Sequence, residues 1–534
     1  MAEFDVVVLG TGAAGMTAAL SAADAGASVG LFEKSSLIGG TTCLSSGVAW
    51  LPDNRYAREA GVEDSRAEGV RYLESLSRGM IRPGMAEAFV GGTSEVTDWL
   101  ETRTPLHLSL VPGYPDYHPE HPGGKPQGGR SVEPELFAFD ELGAWADRIE
   151  GRTRRMMVRE TPVGGGTGVV GPDEANRRER QHLEGLGRAM IGALLKGCLD
   201  HGVEPVTGAA AVELIQDGNV VRGVRFADGS TATARHGVVI ATGGFEWDSD
   251  LVRDFLRGPM SYPATVPTNT GDGLRMAMKA GARLGNMREA WWVPVCVLPG
   301  QRNHGEQAVH LVLRERTLPR SIMVNRAGER FTNEAANYNA LGGAFHRLDP
   351  SDFDYLNDPC WLIFDARHVE EYGGFTLPPG QAPDWALRAG TLGELAREID
   401  VEPATLERTV ERFNGMAADG VDADFARGAS AYDGFVGDKR YYPGAGSTLG
   451  PLDEGPYYAV QLHISTLGTK GGPQTDVDGS VFTVDGEPIP GLFAAGNAMA
   501  GPTGMVYGGA GGTLGPALVF GYRAGRAAAS GGRR

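Results

Sequence analysis

Phe4-Asp-Val-Val-Val-Leu-Gly10-x-Gly12-x-x-Gly15 is followed by an Ala-rich helical stretch and then by Val29-Gly-Leu-Phe-Glu33-Lys34. An apolar β-branched run, a glycine turn, a helix and a second apolar run make a βαβ unit of the kind that holds a dinucleotide. Three glycines at this spacing let the chain turn tightly, let its backbone approach a pyrophosphate and let the helix pack close to the strand. Glu33 ends the second strand where a ribose hydroxyl would lie. Gly10, Gly12, Ala13, Ala14, Gly15, Glu33 and Lys34 are therefore the first candidates for cofactor contact.

A chain of 534 residues has room for two or three domains, and 41% hydrophobic with 22% charged residues is ordinary for a globular protein. Its 80 glycines are about twice the usual share and occur in GG and GxG clusters beside apolar runs, as expected where backbone approaches a ligand. A net charge of −18 with no basic stripe argues against nucleic acid or an anionic membrane as partner. Cys43, Cys198, Cys296 and Cys360 show no CxxC and no metal-like spacing, so buried free thiols and no structural metal are expected. The first strand begins close to Met1 and no apolar run approaches ~18 residues, which predicts a cytoplasmic protein without a leader or a membrane span.

Gly39-Gly40-Thr41-Thr42-x-x-Ser45-Ser46-Gly47 is a small-residue loop able to wrap a ligand, and it adds Gly39, Gly40, Thr41, Thr42, Ser46 and Gly47 to the cofactor candidates. Residues 84–102 and 180–201 have helical periodicity. Residues 103–179, rich in Pro, Gly and charge, read as long surface excursions. From Val212 to Thr242, short β runs separated by Asp217-Gly218 and Asp228-Gly229 form a meander that returns to a strand ending in Thr242-Gly243-Gly244. Thr270-Gly271-Asp272-Gly273 then opens another helix beside the same ligand. The glycine clusters thin out from about Leu284 to Tyr442, then resume with Leu467-Gly468-Thr469-Lys470-Gly471-Gly472, Gly491-Leu-Phe-Ala-Ala-Gly496-Asn497 and Gly508-Gly-Ala-Gly511-Gly512, before a terminal helix from about Thr513. The expected fold class is α/β, with a discontinuous Rossmann-like cofactor domain of parallel sheet plus β-meander (1–283 and 443–534) and an inserted α+β catalytic domain (284–442). The substrate cleft is expected at their junction.

These tracts, with Met323-Val-Asn325-x-x-Gly328-x-Arg330-Phe331-x-Asn333-Glu334, resemble the flavoproteins of the fumarate reductase and succinate dehydrogenase class, and more closely the 3-ketosteroid Δ1-dehydrogenases. The resemblance covers nearly the whole chain. It implies FAD, contacted by the residues named above together with Thr242, Gly243, Gly244, Asp272, Gly496, Asn497, Gly512, Thr513 and Leu514. The family's tyrosine set is similar to Tyr117 in Pro115-Asp116-Tyr117, Tyr338 after the Asn-Glu pair, and Tyr507 opening the turn that ends at Gly511. By that resemblance, Tyr338 assisted by Tyr117 removes a proton from C2, the C1 hydrogen leaves as hydride to flavin N5, and the Tyr507 hydroxyl and Gly511 N–H hold the C3 carbonyl. The chemistry agrees. A C–H beside a ketone becomes acidic only if charge developing on oxygen meets pre-placed donors, and a phenol of reference pKa ~10 needs a second phenol to stabilise its anion. The start of the terminal helix, after Gly512, suits the N1 and C2 carbonyl region of a reduced flavin.

No His lies between Thr41 and Ser46, where the succinate dehydrogenase class tethers its flavin, so noncovalent FAD is expected. Gly508 and Ala510 stand where the family's turn often has proline, which predicts a looser turn, and His118 follows Tyr117 where a second tyrosine can occur. The particular steroid and the ring position stay open. Trp291 and Trp292 are read as hinge or core packing and left outside the site. His463, Arg330 and Lys470 read either as an anion-binding group or as structural residues. The expected partners are an apolar, steroid-like ketone and a quinone- or dye-like electron acceptor, for a monomer. The alternatives are a relative acting elsewhere on the ring (Δ4), an ene or fumarate-like reductase, and a flavin-binding protein without turnover. A dicarboxylate reductase requires cationic clamps, and tyrosines stand in their place.

Overall fold

A computed structural model of the protein describes residues 2–531. Val6 to Leu9 are almost wholly buried, as a strand covered on both faces must be, and strand β1 (Ala2–Leu9) lies at the centre of an eight-stranded sheet. It pairs in parallel with β2 (Val29–Phe32) on one side and β3 (Thr231–Ile240) on the other, and β3 in turn pairs in parallel with β4 (Pro488–Ala494). The expected meander, Ala211–Asp217 and Val220–Phe226, joins β3 antiparallel. Strands from the two ends of the chain thus share one sheet, so the cofactor fold is discontinuous.

Helices α1 (Ala13–Asp24) and α3 (Leu514–Ala529) pack on this sheet, and α2 (Leu186–Asp200) packs on α1. Helix α1 carries no bulky side chain toward α3, and a Cβ at Gly521 would meet the Ala14 carbonyl oxygen at 2.5 Å, while one at Gly525 would collide with Ser21 and Ala18. Small residues on both faces let the backbones approach, and this seats the start of α3 beside the start of α1.

The second sheet has six strands, including Ala290–Asn303, Ser321–Val324, Cys360–Phe364 and Tyr457–Thr469. Tyr457–Thr469 lies within the segment expected to return to the cofactor domain, yet its pairing partners are Ala290–Asn303 and Cys360–Phe364. It leaves the second sheet at Lys470 and runs straight into the cofactor wall.

The stretch 103–179 is not a surface excursion throughout. Tyr114, Asp116, Tyr117, Arg130 and Glu133 are all at most 3% exposed. The charges there are buried because they are paired: Arg130 bonds Asp64 at 2.6 and 2.9 Å and Asp116 at 2.7 Å. All four cysteines are buried and unpaired. No helix among the described residues is long and apolar enough to cross a membrane.

Candidate active site

One cavity of about 450 Å³ runs from the Gly10–Ala14 turn to the tyrosines, a volume in the range of small-molecule sites. At its first end the backbone is arranged for a dinucleotide. The φ of Gly10 is +102°, and a Cβ there would collide with the carbonyl oxygen of Ala241. A Cβ at Gly15 would likewise strike the Gly10 carbonyl, so this glycine serves the helix–strand approach and does not line the cavity. Around Gly12 and Gly40 the space is open, with no atom closer than 3.6 Å to a Cβ at Gly12 and none within 4 Å of one at Gly40. Helix α1 starts without a side-chain cap, which leaves amides for phosphate oxygens. The residues present fit the expected cofactor.

Of the candidates named from sequence, Gly10, Gly12, Ala13, Ala14, Glu33, Lys34, Gly40, Thr41, Thr42, Ser46, Thr242, Gly243, Asp272, Gly496, Asn497, Thr513 and Leu514 line this cavity. Glu33 accepts from Thr11 Oγ1 at 2.8 Å and from Ser35 N at 2.9 Å, and Lys34 pairs with Asp272 at 2.7 Å. Gly15, Gly39, Gly47, Gly244 and Gly512 stand behind the wall. A Cβ at Gly39 would strike Cys43, one at Gly47 would lie 2.6 Å from the Leu186 backbone, one at Gly244 would strike Glu246 and Thr469, and one at Gly512 would lie 2.7 Å from the Tyr507 ring. They permit close packing and make no contact with the cavity.

At the other end the three tyrosines, from distant parts of the chain, meet. The Tyr117 hydroxyl lies 2.8 Å from that of Tyr338, which lies 3.0 Å from that of Tyr507, and the rings are mutually edge-on at 5.1–5.5 Å. Each has its own anchor. Tyr117 follows Asp116, whose carboxylate is held by Arg130 and by Trp50 Nε1 at 2.7 Å. Tyr338 follows Glu334, a fully buried carboxylate paired with Arg330 at 2.7 Å and Arg427 at 3.2 Å, and buried Arg316 grips the carbonyls of Glu334 and Ala336. Arg330 is thereby structural, bonded also to Asp422.

The turn after Tyr507 is not loose. The Gly508 carbonyl accepts from Tyr117 N at 2.9 Å and from the Tyr72 hydroxyl at 2.7 Å, while a Cβ at Gly508 or Gly509 would run into the Trp50 ring. The glycines are required by the indole packed on them, and the hydrogen bonds supply the rigidity that proline would have given. Gly511 has φ +92° and lines the cavity, and among the described residues its N–H has no backbone acceptor. That amide and the Tyr507 hydroxyl face one space.

Burial pushes the Tyr117 and Tyr338 phenols well above 10, with Tyr507 and other neighbouring phenols raising them further, while the hydrogen bond from Tyr117 pulls Tyr338 the other way by favouring its anion. Both phenols are neutral at rest. Tyr114, which the sequence reading missed, adds its hydroxyl to that of Tyr117 and lines the cavity with Val158, Val163, Leu311, Leu313 and Leu467. Trp291 is buried and does not line the cavity, but it backs Tyr507: its ring stands edge-on to that of Tyr507 at 4.7 Å and its Nε1 donates to Asn497 at 3.0 Å. Trp292 points the other way, into the core against His346. His463 packs on Tyr262, outside the cavity wall.

Comparison with known proteins adds to this geometry. The family profile described as "FAD binding domain" matches residues 5–514. The chain is 41% identical to 4-oxocyclohexanecarboxylate 2-dehydrogenase of Sinomonas cyclohexanicum, over 98% of this chain and 92% of that protein. It is 38% identical to 3-oxosteroid 1-dehydrogenase of Mycobacterium tuberculosis, over 98% and 97%. Among solved structures, 3-ketosteroid Δ1-dehydrogenase from Sterolibacterium denitrificans, in complex with 1,4-androstadiene-3,17-dione, superposes with a TM-score of 0.91 at 34% identity, covering 99% of this chain and all of that one.

Proposed function

The chain belongs to the FAD binding domain family and is an FAD-dependent oxidoreductase acting on CH–CH groups, similar to the 3-oxosteroid 1-dehydrogenases, and on that premise we propose that it introduces a 1,2-double bond into 3-ketosteroids. The observation that carries this reading is the contiguous hydroxyl triad of Tyr117, Tyr338 and Tyr507, beside the free Gly511 amide, in the cavity that also holds the dinucleotide cradle.

The Tyr507 hydroxyl and Gly511 N–H donate to the C3 carbonyl oxygen and stabilise the charge that develops on it. This acidifies the C2–H. Tyr338, deprotonated for the reaction with its phenolate held by the hydrogen bond that the Tyr117 hydroxyl donates to it, accepts that proton and becomes a neutral phenol. Bound FAD, held without a covalent link, supplies the acceptor for the C1 hydride at flavin N5. The apolar wall around Val158, Val163, Leu311 and Leu313 suits a steroid body and excludes water from the reacting carbons. A dicarboxylate would find little to hold it: the cations on the cavity wall are Lys34, already paired with Asp272, and Arg154.

By function the chain divides into a cofactor body, 1–283 and 443–534, and a substrate body, 284–442, with Tyr457–Thr469 linking them as a strand of the second sheet. The enzyme works as a monomer with a quinone- or dye-like acceptor. Product analysis by proton NMR after dye-coupled turnover of 4-androstene-3,17-dione tests the reading. Two new vinylic protons at C1 and C2 are expected, and unsaturation at another ring position or no product would overturn it.

Arg154 favours a second reading. It lies exposed on the cavity wall and makes no ion pair among the described residues, so it is placed to receive the carboxylate of a small ring ketone such as 4-oxocyclohexanecarboxylate. On that reading Arg154→Met lowers kcat/KM for the oxo acid and leaves the neutral steroid untouched.

A further inference from the structure

We infer that Lys470 is a positioning residue that clamps Tyr507 through the two peptide carbonyls before it and through the Trp291 ring. The inference rests on the reading of Tyr507 as a donor to the ketone oxygen.

Lys470 is 1% exposed, and its backbone is fixed on both sides: its N–H donates to Glu289 O and its carbonyl accepts from Gly501 N, each at 2.9 Å. Its Nζ donates to Met505 O at 2.8 Å and to Val506 O at 3.2 Å. Those are the last two carbonyls before Tyr507. The same ammonium stands 3.9 Å from the centroid of Trp291 and 5.9 Å from that of Tyr507. Trp291 is itself held by Asn497 and presses edge-on against Tyr507 at 4.7 Å.

No carboxylate forms a salt bridge with this ammonium among the described residues. The charged groups nearest it are Glu289 and Arg257, which are paired with each other at 3.2 Å. Burial pushes this ammonium down to about 7, and what holds it is two carbonyls and an aromatic face. The position explains the need. Tyr507 is followed by Gly508, Gly509, Ala510, Gly511 and Gly512, which carry almost no side chain by which the turn can be gripped. The Gly508 carbonyl is pinned by Tyr117 N and Tyr72 on one side of Tyr507. Lys470 pins the other. Without it, the hydroxyl of Tyr507 has a range of positions about the 3.0 Å contact with Tyr338, and displacement on the scale of 1 Å is enough to cost about 100-fold in rate.

The test uses the full-length, FAD-loaded enzyme mixed anaerobically with 4-androstene-3,17-dione, comparing wild type, Lys470→Met, Tyr507→Phe and the double variant. Lys470→Met is expected to slow the limiting rate of flavin bleaching about 10- to 100-fold, with the half-saturating ketone concentration changed less than about threefold. In the double variant the two losses merge, leaving a rate close to that of Tyr507→Phe alone, because a clamp has nothing to position once the hydroxyl is gone. A merely structural lysine would give losses that multiply, and that result overturns the proposal, as does a Lys470→Met rate within twofold of wild type. If Tyr507→Phe bleaches at the wild-type rate, the reading of Tyr507 fails and the clamp with it. If Tyr507→Phe is slow while Lys470→Met is not, the clamp alone fails. Should Lys470→Met not load FAD, Trp291→Phe paired with Tyr507→Phe decides by the same merging or multiplying of losses.

Discussion

Replacing Tyr117 by Phe removes one hydroxyl and little else. The ring stays packed among Tyr338, Tyr432 and Tyr507 at centroid distances of 5.0–5.5 Å, and Asp116, which orients the loop, is untouched. What is lost is the 2.8 Å bond to the Tyr338 hydroxyl. In the reaction that bond serves a group on which charge is shifting, and a hydrogen bond to a charged group contributes about 1.5–3 kcal/mol. At about 1.4 kcal/mol per decade, the limiting rate of flavin reduction should fall about 10- to 150-fold. Tyr338→Phe, which removes the proton acceptor itself, should cost more, in the range of about 100- to 10,000-fold for a general base. Rapid anaerobic mixing at saturating ketone measures both, with FAD content and melting temperature unchanged. A Tyr117→Phe rate within threefold of wild type would refute the argument that the Tyr117 hydroxyl stabilises the charge on Tyr338, and so would a loss as large as that of Tyr338→Phe.

Gly15→Ala should purify without flavin absorbance, because its Cβ collides with the Gly10 carbonyl and moves α1 away from the phosphate site; normal yellow colour would contradict this. Arg130→Leu strands the buried carboxylates Asp64 and Asp116, and the denaturant midpoint should drop by an amount equivalent to about 3–5 kcal/mol, with slower flavin reduction from a displaced Tyr117. Burial holds the His118, His346 and His368 imidazoles down at about 4, below the usual ~6.5, so they are neutral in the fold. The unfolded chain binds more protons between those values, so the stability they contribute is present above pH ~6.5 and is lost as pH falls toward 4. Melting temperature should decline through that window, and less steeply in His368→Gln.

Sequence reading reached the dinucleotide cradle because Gly10, Gly12 and Gly15 have separate steric jobs that no other residue performs, and the structure shows each collision that would follow from a side chain at Gly10 or Gly15. It reached the tyrosine set through resemblance; spacing alone could not have joined Tyr117, Tyr338 and Tyr507 from three distant tracts. It misjudged 103–179 because Arg130, Asp116 and Glu133 have the composition of a wet surface, whereas pairing makes their burial possible. Ala290–Asn303 is a strand, so the adjacent tryptophans point to opposite faces, and the two packing residues serve different places: Trp291 backs Tyr507 while Trp292 fills the core. The wall residues Leu311 and Leu313 carry no local signal, since their role comes only from where the second sheet lays them.

The central claim is that the bound flavin takes hydride from a cyclic ketone whose proton leaves to Tyr338. The most direct test mixes the purified yellow protein anaerobically with 4-androstene-3,17-dione and follows flavin absorbance, with Tyr338→Phe alongside. The account predicts stoichiometric bleaching of the wild type and its near abolition in the variant. Flavin that stays oxidised with the steroid, while the chemically reduced enzyme is reoxidised by an enone or by fumarate, would contradict it and make the protein a reductase.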